Sequence, residues 1–524
     1  MSGERSVGRA AVDMGVATAV SRSFGLARVL VVTAVLGTTF LGNTFQASNS
    51  ISNVLFDLLA EGALSAVLVP TFVELFRTDR VEEAERVAGG LLGAALVLLG
   101  AISLAGIVFA PALARALTAG NHDARIAAEQ RDLATFLLRF FVPQVLLYAF
   151  GAIATGILYA RRRFVVTAVA PIGSTVVIVG CLAIFRAQAG AHPGFALSTG
   201  ERLLLAAAGT GGVLAFVGVL LVACRNTGFR LRPRWPVRDR ALRDALRLSF
   251  WGVFLNTGEG LLMLAVLVVG NAVSGGVVAY QAAFVFFLAP YAVLAQPIHT
   301  AILPELATDV AHGDLDAFAE SVRRALDSMA LLVVPAAIAF VVFARPLMTV
   351  VAFGAATGRG VVLLAAGVAS LGAGLYAYSA FLLFTRASYA LGDSRTPALV
   401  AIATAAIGVL VMVLGARAVD GAAKVAALGI GHSVAYGLAA VALGVGITRR
   451  TGHSLVPREL PRALLVSGAV GAIAWTVMRA IDPHGRIDTL AVTAAVGSVA
   501  TAAYVGALHL AGARLSLRPA AARS

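Results

Sequence analysis

The chain has 524 residues, of which 59% are hydrophobic and 13% charged, with a mean hydropathy of +0.89. A water-soluble globule carries about twice that charged fraction, so the composition excludes a soluble fold and points to an all-α polytopic membrane protein. The formal charge of +14 does not indicate nucleic acid, because the arginines lie in short loops between apolar stretches and not on one face with interleaved aromatics.

The first apolar stretch, 10–36, contains Asp13, Arg22 and Arg28. It is unlike the short apolar region of a cleaved leader, so retention of the N-terminus is expected. Further stretches of roughly 20 residues, enough to cross a bilayer, follow near 44–75, 88–114, 133–158, 164–185, 202–224, 248–270, 276–304, 326–350, 360–385, 396–416, 424–447, 462–480 and 488–511. The pattern predicts about fourteen transmembrane helices. With the N-terminus in the cytoplasm, the loops at 76–87, 159–163, 225–247, 305–325, 386–395 and 448–461 are inside and hold most of the basic residues, including Arg161, Arg162, Arg163, Arg449 and Arg450. The turns at 37–43 and 271–275 carry no charge. The positive-inside rule therefore predicts that both termini are cytoplasmic. Cys181 and Cys224 each sit in an apolar run, where packing is the expected role and no disulfide framework or CxxC site can form.

A repeat runs through the chain. "LGNTF" at 41–45 matches "VGNAV" at 269–273, the segment with Pro70 matches that with Pro304, and Tyr159-Ala160 matches Tyr389-Ala390, in the same order. The expected architecture is two six-helix lobes, 1–225 and 226–455, related by pseudo-two-fold symmetry, plus two C-terminal helices in 456–524. Two lobes around a central site are the usual basis of alternating access, so transport is the leading class.

Charges inside the spans are the candidate functional residues, since an arginine at the bilayer centre costs about 2.5–3.5 kcal/mol on insertion scales. On a helix, Arg22 and Arg28 stand about 120° apart and about 9 Å apart along the axis, with Gly25 angularly between them. The pair suits a diphosphate, or a phosphate plus a carboxylate. Neutralising acids on neighbouring helices, or reaching to the interface, are the open alternatives. Asp57 and Glu61 are i, i+4 on the second span, and Glu61 is expected either to clamp Arg22 or Arg28 or to pair structurally. Glu259, in "LNTGEGLLML", reads as an ion-coupling candidate for a monovalent cation or proton, or as a partner for Arg22. Asn43, Ser48, Asn49, Ser50, Ser52 and Asn53 form a polar stripe expected to face the lumen. His299 and His432 are expected to make interhelical hydrogen bonds, and Pro290, Pro297 and Pro304 to kink the eighth span. No GxSxG, HExxH, Walker loop or metal-ligand spacing is found, so neither an enzyme, a cofactor nor a metal site is expected.

"SRSFGLAR" at 21–28 with "NVLFDLLAEGALSAVLVPTF" at 53–72, "GILYARRRFVVTAVAP" at 156–171, "AILPELA" at 301–307 and "YALGDSRTP" at 389–397 together resemble the MurJ (MviN) family of lipid II flippases, in the multidrug/oligosaccharidyl-lipid/polysaccharide exporter superfamily. The resemblance covers effectively the whole chain. It implies a role in peptidoglycan biosynthesis at the bacterial cytoplasmic (inner) membrane, with lipid II and membrane lipids as partners and no nucleic acid. It also implies that Ser21, Arg22 and Arg28 hold the lipid-linked precursor's diphosphate with Glu61 nearby; Asn43 and Asn53 complete the expected substrate-binding set. The chain departs from the family pattern at Asn43, where an aspartate is common, at Ser52, Phe56 and Val285, the last two replacing arginines. Fewer cavity cations leave two alternatives: export of another polysaccharide-lipid or a drug, or a non-transporting scaffold.

Overall fold

A computed structural model describes residues 20–57, 71–234 and 256–510. Every regular element among them is helical, as expected where backbone amides have no water to bond and must be satisfied within their own segment. The chain divides into two compact units, Met1–Val278 and Ala279–Ser524. The first contains α1 (20–36), α2 (Phe40–Phe56), α3 (71–77), α4 (Val81–Val108), α5 (Ala110–Leu117), α6 (Ala124–Phe141), α7 (Gln144–Ala160), α8 (Phe164–Ala189), α9 (Thr199–Arg225) and α10 (Asn256–Gly270). Next, α11 (Gly276–Pro290) crosses the boundary. The second unit continues with α12 (Gln296–Ala311), α13 (Leu315–Val351), α14 (Arg359–Gly372), α15 (Leu375–Ala390), α16 (Arg395–Ala418), α17 (Ala422–Thr451), α18 (Leu460–Ile481) and α19 (Arg486–Leu510).

Among the described residues, ten helices are long and apolar enough to cross a membrane, and α14 with α15, bent by 45°, makes an eleventh. These eleven coincide with eleven of the expected spans. The first, second and seventh expected spans fall on α1, α2 and α10, each of which borders residues outside the described set. The sequence places the second lobe's start at 226, whereas the first compact unit runs on through α10 to Val278. The hydrogen bonds of Asn43 and Asn271 described below account for that.

Two pairs of chain reversals carry the repeat into the backbone. At the end of α7, Arg162 N–H donates to Tyr159 O at 2.9 Å and Arg163 N–H to Leu158 O at 2.8 Å. At the end of α15, Gly392 N–H donates to Tyr389 O and Asp393 N–H to Ser388 O, both at 2.9 Å. Both are Schellman caps with the residue after the cap in the left-handed region, at φ +56° for Arg162 and +74° for Gly392. A second pair closes α3 at Asp79 (φ +55°) and α12 at Gly313 (φ +72°), through Arg80 N–H to Leu75 O and Asp314 N–H to Asp309 O. Pro70 lies outside the described residues, but this cap pair has the same spacing as Pro70 and Pro304. In each pair glycine takes the left-handed position only in the later copy, so the earlier copy carries the side-chain penalty, about 1–2 kcal/mol per residue.

The three prolines of the eighth span act where expected. Pro290 ends α11, Tyr291–Ala295 forms a π-helical turn, Pro297 sits in the first turn of α12, and Pro304 lies within it. Missing amide donors prevent an unbroken ladder there, and the wider turn absorbs the mismatch. Farther on, α19 is held to the unit by few groups: it buries Thr489 and Tyr504, whose hydroxyl donates to Leu331 O of α13 at 2.8 Å.

A Cβ at Gly392 would meet nothing within 4 Å, so Gly392→Ala isolates the conformational cost. It should destabilise the purified protein by about 1 kcal/mol, read as a lowered thermal midpoint, and Gly392→Asn should cost less.

Candidate functional site

The arginine pair sits on α1. Arg22 is exposed, Arg28 half-buried and Ser21 buried at 9% exposure. A Cβ at Gly25, angularly between the two arginines, would meet nothing within 4 Å. Tyr148 of α7 lies within electrostatic reach of both Arg28 and Asp57, which closes α2. Arg28 thus has a phenol within reach, and that phenol in turn has an acid within reach. Glu61, the expected clamp, lies outside the described residues. Glu259 is half-buried on α10 and engaged in an interaction of its own.

Asn43 has a different setting from the one its place in the substrate-binding set suggests. It is 0% exposed, and its amide donates to Val273 O at 2.6 Å while its oxygen accepts from Val277 N–H at 3.0 Å and Val278 N–H at 3.4 Å. Those N–H groups belong to the first turn of α11, which has no intrahelical acceptor for them. Close approach is needed for this grip: a Cβ at Gly275, where φ is +78°, would stand 2.4 Å from the Thr38 backbone. Asn271, its counterpart in the repeat, is 2% exposed. It donates to Leu117 O at 2.8 Å and accepts from Gln130 at 3.0 Å, and Asn121 donates to Gln130 at 2.9 Å. Both repeated asparagines therefore spend their amides on the protein itself.

The polar stripe divides. Asn53 is exposed, but Ser48, Ser50 and Ser52 are buried, which corrects the expectation that the whole stripe faces the lumen. Ser52 donates to Gln144 Oε1 at 3.1 Å, Gln144 donates to Thr210 at 3.1 Å, and Thr210 donates to Phe140 O at 2.9 Å. Phe140 precedes the break before Pro143, where the proline cannot donate along the helix. The ladder thus satisfies an interrupted α6–α7 span from α2 and α9. Neither Gln144 nor Tyr148 was singled out by the sequence. The signal for Gln144 was its position directly after a proline inside an apolar run; Tyr148 offered only its isolation.

In the second unit His299 and His432 are fully buried and bonded between helices: Tyr280 hydroxyl and His432 Nδ1 are 2.6 Å apart, and His299 Nε2 lies 3.2 Å from Met329 Sδ. That is the interhelical role expected of them. A cavity of about 1620 Å³, lined by Phe286, Leu331, Phe343, Val470, Leu490 and Val505, lies among α11, α13, α18 and α19. Its walls are overwhelmingly apolar, suited to a hydrocarbon chain. Among the described residues no three His, Cys, Asp or Glu side chains are grouped to hold a metal.

Replacing Asn43 should test its bracing role. Asn43→Ala strands buried backbone groups at about 1–3 kcal/mol each and should lower the thermal midpoint markedly. Asn43→Asp keeps an acceptor for the first turn of α11 and should lose less; equal losses would remove the helix-capping account.

Comparison with known proteins agrees with this architecture. A family described as lipid II flippase MurJ matches residues 32–491; Ser21, Arg22 and Arg28 precede that stretch. A probable lipid II flippase MurJ from Rhizobium tropici is 28% identical over 473 residues, 88% of this chain and 84% of the relative. The lipid II flippase MurJ of Burkholderia cenocepacia is 25% identical over 524 residues, covering 96% and 97%. Among solved structures, a lipid II flippase MurJ in an inward closed conformation shares the fold at a TM-score of 0.75 and 16% identity, over 96% of this chain and 99% of that one. An inward-facing multidrug resistance MATE family transporter of the MOP superfamily follows at 0.62 and 14%, over 82% and 94%. The chain is a multi-pass helical membrane protein and belongs to the MurJ lipid II flippase family.

Proposed function

We propose that this chain moves lipid II, the undecaprenyl-diphosphate-linked peptidoglycan precursor, from the inner to the outer leaflet of the bacterial cytoplasmic membrane by alternating access. The single observation that carries the reading is the family match over residues 32–491. Transport makes and breaks no bond in the cargo, so the residues have to bind and release, not catalyse.

Arg22 and Arg28 hold the diphosphate, with Ser21 and exposed Asn53 contributing hydrogen bonds. Two guanidiniums flanking an open notch at Gly25 can each take a pair of phosphate oxygens. Glu61 is a further member of this set from the sequence. The prenyl chain occupies the apolar cavity against α18 and α19, where each buried methylene is worth about 0.8 kcal/mol. The two six-helix lobes, 1–225 and 226–455, rock about the central site, and 456–524 supplies the lipid groove. Both termini are cytoplasmic, as the basic loops favour. Membrane potential or a gradient of protons or a monovalent cation drives the cycle, with Glu259 as the coupling carboxylate.

Reconstituted protein should translocate lipid II, and Arg22→Ala and Arg28→Ala should each abolish nearly all of that movement. Unchanged turnover in both would remove the diphosphate assignment. Failure of the intact chain to rescue a flippase-depleted bacterium, with transport of another polysaccharide-lipid or a drug, would replace the cargo. Tolerance of simultaneous neutralisation of Arg22, Arg28 and Glu259 would mark a scaffold.

A further inference from the structure

Tyr148, within electrostatic reach of Arg28, belongs to a group of side chains in the first unit that a diphosphate alone does not explain. The Phe56 and Tyr148 rings lie 5.4 Å apart, tilted at 45°. Tyr148 is within electrostatic reach of Arg28 and Asp57. Phe56 and Asp57 follow the exposed Asn53 by three and four residues, which puts all three on one side of α2. Arg28, Phe56, Asp57 and Tyr148 are each half-buried. Phe56 also packs against the buried cluster that includes Phe72, Leu92, Val145 and Ile153, which fixes its ring from behind.

A phosphate gains nothing from an aromatic face, whose π cloud is negative. The group covalently next to a diphosphate in a glycolipid is a sugar ring. One face of such a ring presents C–H bonds with positive partial charge, which match the π cloud, and its edge carries hydroxyl and amide donors, which match a carboxylate. Tyr148, one ring of the aromatic pair, is within electrostatic reach of both the acid and the cation, a combination that matches a sugar joined to its diphosphate.

We infer that Phe56 and Tyr148 form a platform for the sugar ring joined directly to the cargo's diphosphate, with Asp57 accepting from the ring's polar edge and the Tyr148 hydroxyl donating to a phosphate oxygen held by Arg28. This rests on the diphosphate reading of Arg28 and deepens it: the site distinguishes a glycosylated diphosphate lipid from a bare one.

The test uses the full chain in nanodiscs and compares binding of lipid II with binding of undecaprenyl diphosphate, which has no sugar. Wild type should prefer lipid II. Phe56→Leu should weaken lipid II about three- to tenfold and leave the sugarless lipid unchanged, while Tyr148→Leu, which loses ring and hydroxyl together, should weaken both lipids but lipid II by the larger factor. Phe56→Tyr should restore the preference, which separates loss of the platform from a folding defect. Tyr148→Phe should weaken both lipids several-fold while keeping the preference, because only the phosphate donor is gone. Equal wild-type binding of the two lipids, or equal weakening of both by the leucine variants, overturns the platform and leaves the diphosphate reading intact. Binding of neither lipid by wild type overturns both.

Discussion

A backbone amide inside hydrocarbon has no water to turn to, and the architecture follows from that constraint. It makes every span a helix, and it makes each interruption of a helix a local problem needing a named partner. At the Pro143 break the partners are Gln144 and Thr210. At the start of α11 the partner is Asn43. At the ends of α3, α7, α12 and α15 the chain satisfies itself by Schellman turns. The polar residues of α2 are thus mostly structural, and the few that stay accessible, such as Asn53, stand out for that reason.

The same economy of polar groups gives Arg28 its meaning. A guanidinium half-buried on α1 is costly unless something nearby or something arriving compensates it. Tyr148 is the near neighbour of that guanidinium, and an anionic cargo would supply the opposite charge. The second unit holds an apolar cavity whose walls carry little polar surface.

The spans were legible because hydropathy is a direct reading of the solvent a segment meets. Eleven of them fall within a few residues of expectation at most ends; α13 starts earlier, at Leu315, because its first turns are amphipathic and escape an apolar window. The duplication was legible too, in Asn43 with Asn271 and Tyr159 with Tyr389. What a sequence does not disclose is where a polar side chain spends its hydrogen bonds. Asn43 read as a lumen residue because its type is polar, yet its donors and acceptors are consumed by backbone groups more than two hundred residues away. Tyr148 escaped notice for the converse reason: an aromatic in an apolar run reads as packing, and its value comes from neighbours on α1 and α2.

The π-helical turn at Tyr291–Ala295 is a place where one residue is surplus to the α-helical register. Pro290 and Pro297, on either side of it, have no amide to exchange between acceptors, so the surplus residue is pinned to this turn. The side chains of α12 are therefore set out of phase with those of α11 by about 100°, and the span presents a different face to its neighbours on each side of the turn.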